Sequence, residues 1–284
     1  MSTLYIVPTP IGNLSDISGR ALEILSSVDV VLAEDTRRTK ILMDHFDINT
    51  SLTSLHDHNE VSRIDGIIDL LNSGNSLALV SDAGTPLLSD PGAQLVSSVV
   101  EAGHEVIPIP GPSAILTALV GAGFPPVPFT FHGFVPKKKK TRNELLESIV
   151  GSRDTSVVFE SPERLCVLLE DLQILAEEGR QIVVAREMTK IHEEFFRGTI
   201  DEAVSYFAES PPRGEVTVVI SPRIKEEADQ RIDVAAARAL AQALLDEGLT
   251  PSRSARELSI RLRIGRNMAY EVVHSLLDKD ESII

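Results

Sequence analysis

The sequence predicts an α/β protein: two α/β units followed by a small helical module. Three observations carry this. Short apolar runs alternate with amphipathic helical stretches from residue 4 to about residue 120, the pattern of a parallel sheet with helices on both faces. A stretch rich in glycine and proline, 121–128, interrupts the pattern, and a second alternation runs over 129–221. Beyond a charged segment at 223–232 the chain reads as helix only. The expected domains are 1–120, 129–222 and 232–284.

In the first unit, the strand at 4–7 stops at Pro8-Thr9-Pro10-Ile11-Gly12-Asn13, and Ser15 or Asp16 opens a helix. The apolar run 28–33 is a buried strand ending in Glu34-Asp35-Thr36-Arg37-Arg38, with Asp35 placed to cap a helix through Met43. Residues 52–59 read as irregular and polar, and 64–71 as helix. The run Leu77-Ala78-Leu79-Val80 leads into Ser81-Asp82-Ala83-Gly84-Thr85-Pro86-Leu87-Leu88-Ser89-Asp90-Pro91-Gly92. Asp90 stands at the N-cap and Pro91 at the first position of a helix over 93–102. A strand at 105–109 delivers Pro110-Gly111-Pro112-Ser113 to one more helix. Three small-residue loops thus reach one sheet edge, the place where open α/β sheets bind ligands. None matches the dinucleotide or P-loop glycine pattern, so NAD or ATP binding of those types is not supported.

In the second unit, 129–134 is a strand, and Lys137-Lys138-Lys139-Lys140 forms a loop before a helix at 143–150. The strand 156–160 precedes a helix capped by Ser161 and ended by Gly179. The strand 181–187 delivers Arg186 and Glu187, 193–198 is a short strand, Thr199 caps a helix, and 216–221 is the final strand. In the tail, helices at 234–245, from Pro251 and at 267–277, with Gly265 at a turn, suit a helix-turn-helix module or a plain helical hairpin.

Composition narrows the function. The 284 residues are 43% hydrophobic, enough for proper cores, with no apolar run long enough for a membrane helix. Cys166 is alone, which excludes an internal disulfide framework or a cysteine zinc site. The N-terminus lacks a basic region and does not read as a signal peptide, so a cytoplasmic location is expected. A net charge of −15 argues against broad nucleic-acid binding. Two basic clusters stand out against it: the four lysines with Arg142, and Arg253, Arg256, Arg261, Arg263 and Arg266 in the tail. Each is either a local polyanion site or a solvated face.

Several loops taken together carry a resemblance. Pro8-Thr9-Pro10-Ile11-Gly12-Asn13-Leu14, Ala33-Glu34-Asp35-Thr36-Arg37, Ser81-Asp82-Ala83-Gly84-Thr85-Pro86, Ser89-Asp90-Pro91-Gly92 and Pro110-Gly111-Pro112-Ser113-Ala114 occur in that order. His132-Gly133-Phe134, Glu160-Ser161-Pro162, Arg186-Glu187-Met188-Thr189-Lys190 and Arg213-Gly214-Glu215 follow. The chain resembles the tetrapyrrole methylase superfamily and, within it, the branch that methylates a cytidine 2′-hydroxyl in small-subunit (16S) ribosomal RNA. It departs from that branch at Glu163, where His is common, and at Leu87-Leu88, where a glycine is usual.

The resemblance implies S-adenosylmethionine bound in a cleft between the two α/β domains, a homodimer, and ribosomal RNA as substrate. It implies cofactor contacts from Pro10, from Ser81, Asp82, Ala83, Gly84, Thr85, Pro86 and Ser89, and from Pro110, Gly111, Pro112 and Ser113. His132, Gly133, Phe134, Glu160, Gly214 and Glu215 complete that expectation from the second unit. A sugar hydroxyl is a poor nucleophile until its proton leaves, so a carboxylate near the acceptor is expected. Glu187 is the first candidate and Asp82 the second; Glu160 and His132 are weaker, and Glu187 could instead pair with Arg186 or Lys190. RNA phosphates are expected at Lys137, Lys138, Lys139, Lys140, Arg142, Arg253, Arg256 and Arg263. No metal is expected; a site at His56 and His58 has little support. Two other readings fit less of the chain: a tetrapyrrole methyltransferase, and a cofactor-binding regulator with a DNA-binding tail.

Overall fold

The computed structural model describes residues 2–223, 234–262 and 266–277. Residues 224–232 of the charged segment, Arg263 and the Gly265 turn lie outside the described residues. The chain divides into two compact units, Met1–Arg223 and Ile224–Ile284.

The first unit holds two five-stranded sheets. In the first sheet β1 (Thr3–Ile6), β2 (Val30–Ala33), β3 (Ser51–Ser54), β4 (Leu77–Val80) and β5 (Glu105–Pro108) lie in the order β3-β2-β4-β1-β5, every neighbouring pair parallel. Parallel strands must be joined by crossovers, so helices cover both faces. Side chains alternate accordingly. Leu4, Ile6, Leu77 and Leu79 meet Ile67 and Leu71 of α3 (Glu60–Asn72) and Leu95 and Val99 of α4 (Ala93–Glu101). Val7, Ala78 and Val80 meet Leu25 of α1 (Gly19–Ser27) and Leu42 and Met43 of α2 (Thr36–His45) on the opposite face.

Three local expectations are corrected. The segment read as irregular contains β3, a polar edge strand whose pairing with β2 from Val30↔Ser51 to Ala33↔Ser54 outweighs its weak pattern. The helix expected from residue 15 is a single 3₁₀ turn, Leu14–Asp16, and α1 starts after Ser18, whose hydroxyl accepts from the Ala21 N–H. At α4 the N-cap is Gly92, at φ 117°, not Asp90. The buried Glu60 of α3 replaces a local cap, its Oε1 accepting the Leu95 N–H at 2.9 Å.

In the second sheet β6 (Phe129–Phe134), β7 (Thr155–Glu160), β8 (Gln181–Arg186), β9 (Glu194–Thr199) and β10 (Val216–Ile220) lie in the order β6-β7-β10-β8-β9. Only β6 and β7 are parallel; β10 runs antiparallel to β7 and β8, and β8 to β9. The segment between β8 and β9 is too short for a crossover helix, which dictates a hairpin. One face of this sheet packs on α6 (Lys139–Gly151), α7 (Pro162–Leu175) and α8 (Ile200–Glu209), α8 being closed by a Thr199/Glu202 capping box. α6 starts at Lys139, earlier than expected, so half of the lysine run is its first turn.

The other face is covered by α5 (Ala114–Ala122), which follows the last strand of the first sheet. Ile115, Ala118, Leu119 and Ala122 pack on Val157, Val183, Ala185 and Val219. Gly121 lies against Phe195, where a Cβ would come within 2.7 Å of the ring. This helix makes one body of the two sheets.

In the C-terminal unit α9 (Val234–Asp246), α10 (Pro251–Leu262) and α11 (Arg266–Leu277) pack around Ala241, Leu244, Ala255, Leu258, Ala269 and Val273. Each helix touches the other two, which makes a three-helix bundle and not a lone hairpin. No helix among the described residues is long and apolar enough to cross a membrane.

Candidate active site

The parallel sheet brings its loops to one edge, and short bonds lock them together. Thr9 and Gly84 exchange backbone hydrogen bonds of 2.9 Å in both directions. The Thr9 hydroxyl donates to the Ser81 carbonyl at 3.1 Å, and the Thr85 hydroxyl to the Pro112 carbonyl at 2.9 Å. A Cβ on Gly111 would sit 2.7 Å from Pro8, so the third loop lies directly on the first. Gly84 has φ 79°, a conformation that favours glycine.

A cavity of about 480 Å3 opens between these loops and the second sheet. The size suits a cofactor or small-molecule pocket, for which roughly 300–1,000 Å3 is usual. Of the expected residues, Asp82, Ala83, Gly84, Thr85, Ser89 and Ser113 line it from the first sheet's side. Phe134, Glu160, Gly214 and Glu215 line it from the other. Pro10, Ser81, Pro86, Pro110, Gly111 and Pro112 stand outside the wall, in the loop backbone that holds it.

His132 and Gly133 are also outside the wall. His132 bonds the Ser156 hydroxyl at 3.2 Å, and burial pushes its pKa below the usual histidine value. The β6–β7 register shifts between Phe131 and Phe134, with Gly133 at φ 70° against Ser89. This bulge turns Phe134 to the cavity.

Pairing tells against two expectations, and burial against the second of them as well. Glu187 does not line the cavity. Its Oε1 accepts from Lys190 Nζ at 2.8 Å and from the Glu215 N–H at 2.9 Å. The Lys190 bond, with the Glu215 N–H behind it, holds the Glu187 carboxyl below the usual range, the wrong direction for a base. Arg142 is not a surface phosphate contact. Its side chain is 11% exposed and pairs with Asp171 at 2.7 Å and with Glu160 at 3.5 Å. Glu160 in turn is fully buried between Arg142 and Arg164.

The cavity also holds residues that the sequence reading passed over. Ile11, Phe159 and Met188 give it apolar surface, while Glu34, Arg38 and Asp90 give it charge. Burial, and then the neighbouring Asp82, raise the Glu34 carboxyl above its ordinary value. Asp90 is pushed up to about 6 by burial and then by Glu34, with Asp82 and Asp57 adding to it and a Ser81 hydrogen bond opposing it. Asp82 differs: its Oδ1 accepts the Asp35 N–H at 3.0 Å and its Oδ2 pairs with Arg38 at 3.3 Å. A signal for Glu34 and Asp90 existed in the motifs Ala33-Glu34-Asp35 and Ser89-Asp90-Pro91, but both aspartates read as helix caps.

Lys137, Lys138, Lys139 and Lys140 are all exposed and begin three residues after Phe134 of the cavity wall. Arg253 and Arg256 are exposed on α10. Among the described residues there is no cluster suited to a metal ion.

These features define a class. The chain belongs to the tetrapyrrole (corrin/porphyrin) methylases, whose family model matches residues 3–204. Solved structures agree on the fold: cobalt precorrin-4 methyltransferase superposes with a TM-score of 0.59 at 17% identity, over 77% of this chain and 94% of that one. Uroporphyrin-III C-methyltransferase from Thermus thermophilus gives 0.56 at 18%, over 78% and 94%. Much nearer in sequence are proteins named ribosomal RNA small subunit methyltransferase I. The Synechocystis protein is 42% identical over 96% of this chain and 97% of its own length, and the Bacillus subtilis protein 40% over 96% and 94%. The Thermotoga maritima protein is 49% identical over 222 residues, which are 78% of this chain and 99% of that one.

Proposed function

We propose that the chain transfers a methyl group from S-adenosylmethionine to a cytidine ribose 2′-hydroxyl in small-subunit ribosomal RNA. The observation that carries this is the near full-length similarity to proteins named for that RNA, joined to a cavity whose wall suits the cofactor. The cofactor is cationic at its sulfonium and ammonium groups, and Glu34 and Asp82 face the same space. Its adenine needs apolar surface, which Ile11, Phe159 and Met188 supply.

When bound, the cofactor supplies an electrophilic methyl group. The protein's part is to bind, align and keep water out. The Ser81–Pro86 backbone, fixed by the Thr9–Gly84 bridge, offers N–H and carbonyl groups at close range. Asp82 is held in place by the Asp35 N–H and Arg38, which suits a binding role. The acceptor hydroxyl must sit about 3 Å behind the methyl, so RNA must enter from the open side. The lysines suit phosphates there. They crowd the positive end of α6, an arrangement that costs stability and is offset, among the described residues, by Lys140–Glu144 at 4.0 Å. Arg253, Arg256 and, by sequence, Arg263 suit further phosphates. Because the body is strongly acidic, the assembled particle is the better substrate, with naked RNA methylated more slowly.

We also assign a homodimer. Leu116 and Val120 of α5 and Val127 just beyond it are exposed at 52%, 74% and 80%, and sedimentation should give twice the chain mass. The functional test is transfer of tritiated methyl groups to small ribosomal subunits, followed by mapping of the modified ribose. Label on a base, or on no RNA at all, overturns the reading. Gly84→Val should abolish cofactor binding measured by calorimetry.

A further inference from the structure

We propose that Asp90 is the proton acceptor of the methyl transfer, taking the proton of the RNA hydroxyl as its oxygen attacks. This rests on the function proposed above. Chain-local rules put Asp90 at the N-cap of α4, where its carboxylate would serve backbone N–H groups. It is not there. Gly92 is the N-cap, and Glu60 supplies the bond that α4 needs. The loop bends to achieve this: Leu87 and Ser89 both have φ 75°, and Gly92 has φ 117°. Left-handed backbone at two non-glycine residues is costly and gathers at functional sites. Its result is an Asp90 side chain in the cavity wall.

The remaining carboxylates of that wall are committed elsewhere. Asp82 is held by Arg38 and the Asp35 N–H. Glu160 is enclosed by Arg142 and Arg164, and Glu215 pairs with Lys190 at 3.2 Å. Glu34 feels the positive charge of Arg38, which Asp90 does not. Among the described residues Asp90 has no cationic partner. Glu34, Asp82 and Asp57 face it from three separate loops, and their charges favour its taking up a proton. Its carboxyl, at about 6, is ionised at neutral pH yet basic enough to take the proton.

The step balances. The O–H bond breaks and its proton goes to an Asp90 carboxylate oxygen. The freed oxygen pair bonds the methyl carbon, and the carbon–sulfur pair returns to sulfur. A sulfonium and a carboxylate become a neutral thioether and a carboxylic acid, which then loses its proton to solvent.

The test uses the full chain with Asp90→Asn and Asp90→Glu, read by single-turnover methylation of small ribosomal subunits across pH and by calorimetry of S-adenosylmethionine binding. The wild-type rate should rise tenfold per pH unit below about 6 and then level off. Asp90→Asn should lose roughly 10²–10⁴-fold in rate and lose that step, with cofactor affinity within about threefold. Asp90→Glu should recover part of the rate. An Asp90→Asn rate within about threefold of wild type, or an unchanged pH step, overturns the proposal, as does a loss wholly explained by cofactor affinity. Failure of the wild-type chain to methylate the RNA at all is a different result and sinks the functional reading itself.

Discussion

At the scale of single residues, two carboxylates tie pH to stability with opposite signs. The Asp90 carboxyl titrates at about 6 in the folded chain against 3.8 ordinarily. Between those values the folded chain binds the proton more, so this group's contribution to stability falls as pH rises through that window and is unfavourable at pH 7. Asp90→Asn should therefore raise stability at pH 7 by about 1 kcal/mol, after discounting for the exposed part of the side chain. Chemical denaturation should show that gain vanishing near pH 4. Glu187 has the opposite sign. Its lowered carboxyl contributes stability above the usual glutamate range that is lost as pH falls through its folded value. Glu187→Gln should lower the unfolding midpoint at pH 7 and leave it unchanged in acid. The sequence located the loop that carries Asp90 but gave the residue to a helix cap. Capping rules see only neighbours in the chain, whereas Glu60, which does the capping, is 35 positions away from Leu95. Leu87 tells the same story in reverse. Its φ of 75° favours glycine, but that angle is invisible in the letter Leu.

At the scale of elements, polar side chains buried between helices and strands carry much of the architecture. Glu60→Ala would leave the Leu95 N–H buried without a partner and should cost about 1–2 kcal/mol in urea unfolding. Arg180 is more extreme. It is 1% exposed, and its guanidinium donates to the carbonyls of Ser221, Val150 and Ile149 and to Glu177. Val150 and Ile149 end α6, so one cation closes that helix and the end of β10 together. Arg180→Ala should cost about 3–5 kcal/mol by the same measurement, since buried acceptors lose their donor. Strands with near-continuous apolar runs, such as β4 and β10, were plain in the sequence. β3 was not, because a four-residue edge strand of Ser, Leu and Thr is specified by its neighbour β2.

At the scale of the molecule, the two compact units invite separation. The aligned length of the Thermotoga relative, 222 residues, is close to that of Met1–Arg223. Ending the chain at Arg223 should leave a folded body with its cofactor affinity unchanged by calorimetry, and should weaken binding to small ribosomal subunits. With one of the two proposed phosphate-binding clusters removed, the salt dependence of what remains should be shallower. The alternation of strand and helix and the helical tail were legible in the sequence, whereas the expected break at 121–128 begins inside α5, which runs to Ala122. The role of α5 was not legible: an apolar helix reads the same whether it covers its own sheet or the next.

The place of β1 has a consequence for synthesis. It precedes the other four strands of its sheet in the chain, yet it lies between β4 and β5, with Leu4 opposite Leu77 and Thr3 opposite Glu105. A chain leaving the ribosome at roughly 5–20 residues per second must leave one edge of this apolar strand unpaired for about 5–20 s, until β5 arrives. For that interval the nascent chain exposes a sticky edge, a natural point for a chaperone to act.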